Sequence, residues 1–454
     1  MKTTQLLITL ALAATAQAGD WLQFRGSNGN GVAENETLPI KLSEDNLKWS
    51  VKLPGRGLSG AIVVGDRVFV TCSNGARQDR LHVVCLNAKD GSIRWHRQFW
   101  ATGRTMCHPK TSVAGPTPCS DGEYIYANFS SNDLVCLDLD GNLQWLRGLT
   151  HDYANVSNSL GMAASLVVAS GTLVVPVEND SESYTIGIDK ITGRNLWRLN
   201  RPKSANWTTP TILEGAFKGR DLVALQSSKG VVAVDLRTGD KVWNFGNGAS
   251  TTSSTCVFDG VLYVPSRGIT ALRPRSDGKT PDEIWQSGRL QPSTASPIVL
   301  DGHVFTINRA GVLTAGNLAT GEREWQLRLK GPFSSTPAAA GKHLFCEKPV
   351  GLNAGQAREM LEAYRSAGNL AHFVPFWTRW SPVFLKARQI VDSGELGEIR
   401  AVMYRWHNPR PADMPLTWRD DPKLSSAGTI ADVGSHAYDT VRWILGREAI
   451  RVLA

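Results

Sequence analysis

Five hexapeptides decide the fold: DGSIRW (residues 90–95), DGNLQW (140–145), TGRNLW (192–197), TGDKVW (238–243) and TGEREW (320–325). Each places an Asp-Gly or Thr-Gly turn before a strand that ends on tryptophan, and weaker copies end at Trp49 and Trp285. The tryptophans recur at a period of about 40 to 52 residues, with only short apolar runs between them. Such a period predicts a β-propeller in which each repeat is a four-stranded blade.

The inside of each repeat contains further turn and strand signals. A turn and a strand come first, as in GDRVFV (65–70) and DGVLYV (259–264), and a second strand follows, as in GVVAVD (230–235). Asp-Gly turns followed by β-branched and aromatic residues predict hairpins. Each blade is therefore expected to be two hairpins in series. We expect each tryptophan ring to dock between neighbouring blades, burying about 200 Å².

The ends of the repeat region predict how the ring closes. Six full repeats run from Ala61 to Trp325, and a seventh opens with FSSTPAAAGKHLF (333–345). The segment NLKWSVKL (46–53) has a final-strand pattern with no blade before it, so we expect it to complete that seventh blade. The predicted fold is mainly β, a propeller of seven or eight positions whose last blade is incomplete.

The pattern changes after Ala338, where helical and strand patterns alternate. The predicted elements are helix 352–368, strand 372–377, helix 381–397, strand 399–408 and helix 429–446. This alternation predicts a small, incomplete α/β fragment after the propeller. The stretch AAAGKHLF (338–345) fits both patterns, which suggests that the fragment was grafted onto the propeller there.

The opening WLQFRGSNGNGV (21–32), the NLKW strand and the repeated TG-x-x-x-W turns resemble the PQQ-like propeller repeat proteins over residues 20–340. These proteins are similar to the outer-membrane assembly propeller BamB and to the propeller of quinoprotein dehydrogenases. The resemblance implies a scaffold whose ligands bind in loops or in the central funnel. Quinoprotein dehydrogenases usually add a vicinal cysteine pair and an acidic calcium site. No two cysteines are adjacent here, so we expect neither bound PQQ nor a metal site.

Residues 338–454 resemble the Gfo/Idh/MocA family of glucose-fructose oxidoreductases and inositol dehydrogenases. The resemblance rests on GKHLFCEKPV (341–350), the FWTRWSPV segment, SGELGEIRAV (393–402) and the run DVGSH (432–436). It implies that the catalytic residues are Lys348, Asp432 and His436. It also implies that Glu347 and Lys348 contact NAD(P), and that the substrate is contacted by Arg379, Trp418 and Arg419.

The chemistry of these residue types agrees with the implied roles. Histidine suits proton transfer near neutrality, and a lysine stabilises negative charge on a sugar oxygen. Asp432 and His436 are four residues apart, so a helix places both on one face. No Gly-x-Gly-x-x-Gly turn between a strand and a helix precedes Lys348. We therefore expect no bound cofactor and no dehydrogenase activity for this chain alone. The alternatives are an oxidoreductase completed by a partner chain, or a quinoprotein dehydrogenase.

The N-terminal segment predicts export. Lys2, the apolar run 6–14 and Ala-Gln-Ala at 16–18 form a signal peptide, with cleavage expected after Ala18. The expected domains are thus the signal peptide 1–18, the propeller 19–340 and the oxidoreductase fragment 341–454. The expected location is periplasmic or secreted, and no apolar run reaches the ~18 residues of a transmembrane helix.

The net charge indicates which classes of partner to expect, and the cysteine content indicates how many thiols are free. The net charge is +8, with lysine and arginine scattered through the chain. This favours acidic surfaces, and we expect an envelope protein or polysaccharide at the propeller face or funnel and no nucleic acid. The seven cysteines leave at least one thiol free. Cys107 and Cys119 are the nearest candidate pair, but we expect buried free thiols.

Overall fold

The structure is a computed structural model that describes residues 19–33, 47–108, 111–154, 160–329, 339–340, 344–345, 358, 372–373, 379, 381–405 and 434–448. The predicted signal peptide lies outside these residues. The chain divides into two compact units, one formed by residues 1–38 and 42–341 and the other by residues 39–41 and 342–454.

The first unit contains six four-stranded antiparallel sheets that follow one another along the chain. Sheets 1 to 3 contain β2–β5 (Ile62–Val64, Arg67–Asn74, Arg80–Asn87, Ile93–Trp100), β6–β9 (Cys119–Ser120, Tyr124–Asn128, Asp133–Asp138, Leu143–Gly148) and β10–β13 (Val167–Ala169, Thr172–Val177, Tyr184–Asp189, Asn195–Asn200). Sheets 4 to 6 contain β14–β17 (Thr211–Phe217, Arg220–Ser227, Gly230–Asp235, Lys241–Phe245), β18–β21 (Cys256–Phe258, Val261–Ser266, Gly268–Arg273, Asp282–Ser287) and β22–β25 (Ile298–Leu300, His303–Ile307, Val312–Asn317, Arg323–Arg328). A short helix, α1 (Leu149–Asp152), follows sheet 2.

The predicted blade of two hairpins in series is confirmed. In every one of the six sheets the strand order in space equals the order along the chain. The third and fourth strands pair with a register shift beside the tryptophan, as between Gly187 and Ile188, where Trp197 pairs with Gly187 and Asn195 with Ile188. A bulge at this point increases the local twist of the outer strand.

The first strands of successive sheets lie side by side and are joined by a belt of hydroxyl groups. Each backbone N–H at the start of a first strand donates to the hydroxyl at the same position in the next sheet. The bonds are Gly60 to Thr117 (2.9 Å), Thr117 to Ser165 (3.0 Å), Ser165 to Thr209 (3.3 Å), Thr209 to Ser254 (3.0 Å) and Ser254 to Ser296 (2.9 Å). The belt satisfies buried amides that no strand pairing reaches.

The tryptophans connect the outer parts of neighbouring sheets, as predicted. Five indole Nε1–H groups donate to the carbonyl of the residue that follows the third strand of the next sheet. These bonds are Trp49 to Ala88 (3.0 Å), Trp95 to Leu139 (2.9 Å), Trp145 to Lys190 (3.1 Å), Trp197 to Leu236 (2.9 Å) and Trp285 to Leu318 (3.0 Å). Each ring also covers the turn glycine, for example Gly239, whose φ is +74°. A side chain there would collide with Trp197.

Two tryptophans differ from the other five. Trp243 of sheet 4 is buried, with 4% exposure, but its Nε1 has no hydrogen-bond acceptor among the described residues. Trp325, on the last strand of sheet 6, is 37% exposed. The exposure of Trp325 agrees with its place at the end of the series of complete sheets.

The closing segments differ in part from the prediction. Residues 32–33 (β1, Val32–Ala33) pair in parallel with β26 (Ala339–Ala340). Residues 47–53, expected as a final strand, form no strand. Their side chains instead pack against Cys72 and Leu86 of sheet 1, and none of the described strands pairs with them. Trp49 nevertheless docks on sheet 1 as a tryptophan of a preceding blade would.

The described part of the second unit is mainly helical. It contains α2 (Pro382–Asp392) and α3 (Ser435–Leu445), which pack together, and the short parallel pair β27 (Leu344–Phe345) and β28 (His372–Phe373). The helix predicted at 381–397 is therefore present in shorter form. The helix predicted at 429–446 is present from Ser435 to Leu445, and residues 429–433 lie outside the described part of the chain. The predicted strand 399–408 is wrong over its described residues 399–405, since no described strand lies beside them to pair with.

Two further expectations can be compared with the described residues. Within them, no helix is long and apolar enough to cross a membrane. The six described cysteines are free thiols, and five of these are buried. Cys107 and Cys119 therefore form no disulfide, and Cys346 lies outside the described residues.

Candidate functional site

A cavity of about 840 Å³ lies in the first unit, where the first strands of sheets 3 to 5 lead into their first turns. We call it the mouth cavity. Its strand walls include residues 167–169, 209–214 and 254–260, and the N-terminal segment 22–30 forms the opposite wall. Clefts of this volume at the end of a packed scaffold commonly hold ligands.

The N-terminal segment is tied to several sheets. Trp21 and Val63 exchange backbone hydrogen bonds of 2.9 Å, and the Ser120 N–H donates to the Leu22 carbonyl at 2.8 Å. Arg25 then reaches sheets 5 and 6, where its guanidinium donates to the carbonyls of Thr255 (3.3 Å) and Pro297. The stretch that resembled propeller proteins in sequence thus forms one wall of the cavity.

Arg25 is the most unusual charge at this cavity. Its side chain is buried, with 6% residue exposure, and donates to backbone carbonyls, including that of Asn30 at 3.1 Å, with the Cys256 side chain as a further neighbour. No carboxylate pairs with Arg25 among the described residues, and its Nε has no acceptor there. Burial lowers the pKa of Arg25, while the neighbouring Cys256 thiol raises it. A buried cation without a counter-charge favours an anionic ligand.

Three acidic residues line the cavity, Asp121, Glu214 and Asp259, and the first of them is already neutralised. Asp121 accepts a hydrogen bond from Lys190 Nζ at 2.6 Å. Burial opposes ionisation of Asp121, but the Lys190 hydrogen bond and two backbone amides hold the pKa of Asp121 below its ordinary value. Because the Asp121 carboxylate is paired with Lys190, Asp121 does not balance the positive charge of Arg25.

The mouth cavity does not fit the quinone and calcium site of a quinoprotein dehydrogenase. The chain has no adjacent cysteine pair. Among the described residues, no group of three or more histidine, cysteine or acidic side chains could hold a metal ion. We derive no quinone chemistry from this cavity.

The second unit contains the residues implied by the oxidoreductase resemblance. Glu347, Lys348, Trp418, Arg419 and Asp432 lie outside the described residues. His436 is described and buried, with 3% exposure, in the first turn of α3.

Arg379 forms a two-point ion pair with Asp439 of α3. Its Nε donates to Oδ2 at 2.8 Å and its Nη2 to Oδ1 at 2.5 Å. The hydrogen bonds that Asp439 accepts raise the pKa of Arg379, and the Asp439 side chain is 4% exposed. The expected substrate contact is thus held by a carboxylate of its own unit. Asp439 is not among the site residues expected from the sequence, although its spacing of three from His436 places both residues near one helix face.

Aromatic contacts hold α2 and α3 together. Phe384 of α2 stacks on Tyr404 with ring centroids 6.1 Å apart. Arg388 lies over the Trp443 ring at 4.8 Å. The expected NAD(P) contacts lie outside the described residues, so no hydride step can be built on this geometry.

Two family models match the chain. The model described as outer membrane protein assembly factor BamB matches residues 32–179, 155–257 and 265–371. The model described as the GFO/IDH/MocA C-terminal domain matches residues 384–454.

Individual relatives match one part or the other. A levoglucosan dehydrogenase of Pseudarthrobacter phenanthrenivorans is 30% identical over 111 residues, which are 24% of this chain and 28% of that protein. A polyvinylalcohol dehydrogenase of Sphingopyxis sp. is 25% identical over 238 residues, 43% of this chain and 34% of that protein. The chain thus spans about a third of the length of such relatives. The structure of BamB from Moraxella catarrhalis is 18% identical with a TM-score of 0.43, covering 59% of this chain and 72% of that one.

Proposed function

Since the chain belongs to the propeller-repeat family described as outer membrane protein assembly factor BamB, we propose that it is an exported binding or assembly scaffold of the cell envelope. It also carries a GFO/IDH/MocA C-terminal domain. Its ligand is an acidic group of an envelope protein or polysaccharide, held in the mouth cavity. Its parts are a signal peptide (1–18), the propeller (19–340) and an oxidoreductase fragment (341–454) that has no dehydrogenase activity in this chain alone.

The observation that carries the proposal is the burial of Arg25 beside the mouth cavity without a carboxylate partner among the described residues. A guanidinium forms strong charge-assisted hydrogen bonds to carboxylates and phosphates, and the Nε–H of Arg25 has no acceptor among the described residues. The net charge of +8 would draw acidic surfaces towards the protein.

The binding test uses the protein from Gly19 onwards, titrated calorimetrically with polyglutamate and with polygalacturonate. We expect one of the two to bind, and Arg25→Gln to weaken it at least tenfold. The control is Arg198→Gln, which removes an arginine paired with Glu182 away from the cavity. Equal affinities for the parent protein and Arg25→Gln would contradict the proposed site. Export is tested separately, because deletion of residues 2–18 should retain the protein in the cytoplasm.

A second candidate is an NAD(P)-dependent sugar or cyclitol oxidoreductase completed by a partner chain. It is favoured by the match of the C-terminal region to sugar and inositol dehydrogenases, including inositol 2-dehydrogenase of Rhizobium meliloti at 32% identity over 117 residues. In that case Lys348, Asp432 and His436 would be catalytic. Fluorescence titration with NADH and NADPH separates the candidates, since a scaffold binds neither nucleotide. A parallel titration with PQQ and calcium tests the quinoprotein alternative, for which we expect no binding.

A further inference from the structure

A second cleft, of about 900 Å³, lies between sheets 4 and 5, on the outer side of the propeller. We call it the rim cleft. It is lined on one side by Lys241, Val242 and Trp243 of β17, and on the other by the loop 274–281 that connects β20 to β21.

The loop that lines the rim cleft differs in conformation from the corresponding turns of the other five sheets. In the other five sheets the third strand ends on Asn or Asp, whose side-chain oxygen accepts a backbone N–H two residues later, as Asp235 does from Arg237. In sheet 5 the third strand ends on Arg273, which has no such oxygen. The turn therefore lacks its side-chain cap.

Pro274 removes a second constraint. In four sheets the residue at this position uses its backbone N–H to bind a carbonyl near the first turn of its own sheet. These bonds run from Ala88 to Asp66, from Lys190 to Gly171, from Leu236 to Asp221 and from Leu318 to Gly302. Proline has no N–H and cannot form this bond. Without this bond, the loop is not held in the position in which the carbonyl of residue 274 would accept the indole N–H of Trp243.

Trp243 is left with an unsatisfied donor as a result. Its indole N–H has no acceptor among the described residues, although five equivalent tryptophans have one at 2.9–3.1 Å. Gly278 of the loop lies against Phe217 and Val242, whereas the turn glycines of the other sheets lie against a tryptophan ring. The base of the cleft therefore holds a buried donor that a ligand oxygen could satisfy.

The surroundings of the rim cleft are positively charged. Lys241, Arg275 and Lys279 line it, and Lys218 and Arg220 lie over the Phe217 ring that contacts Gly278. Asp282, which also lines the cleft, pairs with Arg275, and Asp235 pairs with Arg220. Asp277 pairs with Arg275 and lies 3.9 Å from Lys279 Nζ, at the exposed edge of the loop. No carboxylate pairs with Lys241 or Lys218 in the described part of the chain.

We propose that the rim cleft binds an acidic saccharide. Its carboxylate or phosphate group lies between Lys241 and Lys279, and one of its hydroxyl oxygens accepts the Trp243 indole N–H. A bare oxyanion would fill only a small part of a cleft of this volume, whereas a sugar with an acidic group supplies both the charge and the further oxygen. The site is distinct from the mouth cavity, and the proposal does not depend on export.

The test is calorimetric titration of the protein from Gly19 onwards, at low ionic strength, with glucuronate, glucose 6-phosphate, inorganic phosphate and glucose. We expect glucuronate or glucose 6-phosphate to bind at least tenfold more tightly than phosphate or glucose, and the tighter of the two identifies the acidic group. Lys241→Gln with Lys279→Gln should lower that affinity at least tenfold. Lys203→Gln with Lys229→Gln, which removes two exposed lysines elsewhere, should leave it unchanged.

A second readout follows the indole N–H groups by NMR of protein labelled with ¹⁵N-tryptophan. The Trp243 resonance, assigned by its loss in Trp243→Phe, should shift on addition of the sugar acid, while that of Trp197 should not. The proposal is overturned if no sugar acid binds, if glucose or phosphate binds as tightly, if the two rim lysines can be replaced without loss, or if the Trp243 resonance does not move. Because Arg25→Gln affects only the mouth cavity, failure here is distinguishable from failure of the proposed function.

Discussion

Trp197 in the outer strand of sheet 3 donates its indole N–H to the carbonyl of Leu236 in sheet 4, across 2.9 Å. The ring is 7% exposed and covers Gly239 of the same turn. One side chain thus joins two sheets by a directional bond and by ring burial. The repetition of this contact from sheet to sheet explains why tryptophan sets the period of the sequence.

Replacing Trp197 with phenylalanine should lower the free energy of unfolding by about 1 kcal/mol more than the same replacement of Trp243, because only Trp197 loses a hydrogen bond. Both variants keep an aromatic ring and lose similar volume, so Trp243→Phe is the matched control. Urea denaturation monitored by circular dichroism measures the difference. Equal losses would show that the indole bond contributes nothing.

The hydroxyl belt should be sensitive to loss of a single hydroxyl. Ser254→Ala removes the acceptor of the Thr209 N–H at 3.0 Å and leaves a buried amide unsatisfied. We expect a loss of about 1–3 kcal/mol in the free energy of unfolding. Ser228→Ala, at an exposed serine, should change it by less than about 0.5 kcal/mol. Hydrogen exchange of the Thr209 amide should accelerate in the first variant only.

The ion pair between Glu178 and Arg201 is buried, with the side chains 3% and 4% exposed and Nε 2.7 Å from Oε1. Glu178→Gln leaves the arginine without a counter-charge, so we expect a loss of about 3–5 kcal/mol. Glu182→Gln removes a carboxylate from a pair that is 30% and 31% exposed, and should cost less than about 1 kcal/mol. Denaturant titrations of both variants make the comparison. Similar losses would contradict the role of burial.

The buried thiols should resist modification. Burial raises the pKa of Cys72 and of Cys85 to about 11 and that of Cys136 to about 12, from an ordinary value of 9.0. At pH 8 we expect these thiols to react with a disulfide reagent only after unfolding, whereas the partly exposed Cys107 reacts in the native protein. Cys107→Ser should abolish that reaction among the described cysteines. Rapid native labelling of Cys72 or Cys85 would contradict their burial.

The same thiols should make stability depend on alkaline pH. Above about pH 9 the unfolded chain releases these protons while the folded protein retains them, so the unfolded state binds fewer protons. Their contribution is therefore fully present below pH 9, and the free energy of unfolding falls as pH rises from 9 to 11. Replacing Cys72, Cys85 and Cys136 with alanine should make this fall less steep in urea titrations at pH 8 and 10.

Much of the propeller could be predicted because its signals are local. The turn dipeptides and apolar runs located many of the inner strands, and the tryptophan hexapeptides located the outer strand of each sheet and the contacts between sheets. The hydroxyl belt was missed, although its members Thr117, Thr209 and Ser296 each precede a proline. The irregular loop of sheet 5 was missed as well, although Arg273-Pro274 stands where the other sheets have Asn or Asp followed by a non-proline residue.

The site residues could be predicted less well. Arg379 was identified, but its partner Asp439 lies 60 residues later, and nothing in the sequence pairs these two residues. The strand expected over residues 399–408 has strand-like residues but no described neighbour to pair with. A strand is stabilised by its partner, so composition alone overpredicted it.

The sequence by itself determined the repeating unit, its turns and the side chain that joins each sheet to the next, because these depend on neighbouring residues and on a fixed period. Only the tertiary structure decided which groups remain without partners. Arg25 meets the carbonyl of Thr255 across 230 residues of sequence, and Trp243 lacks the carbonyl that five other tryptophans have. Both depend on how the successive sheets are placed in space, since a buried charge or donor is satisfied by whichever group packing brings within hydrogen-bonding distance.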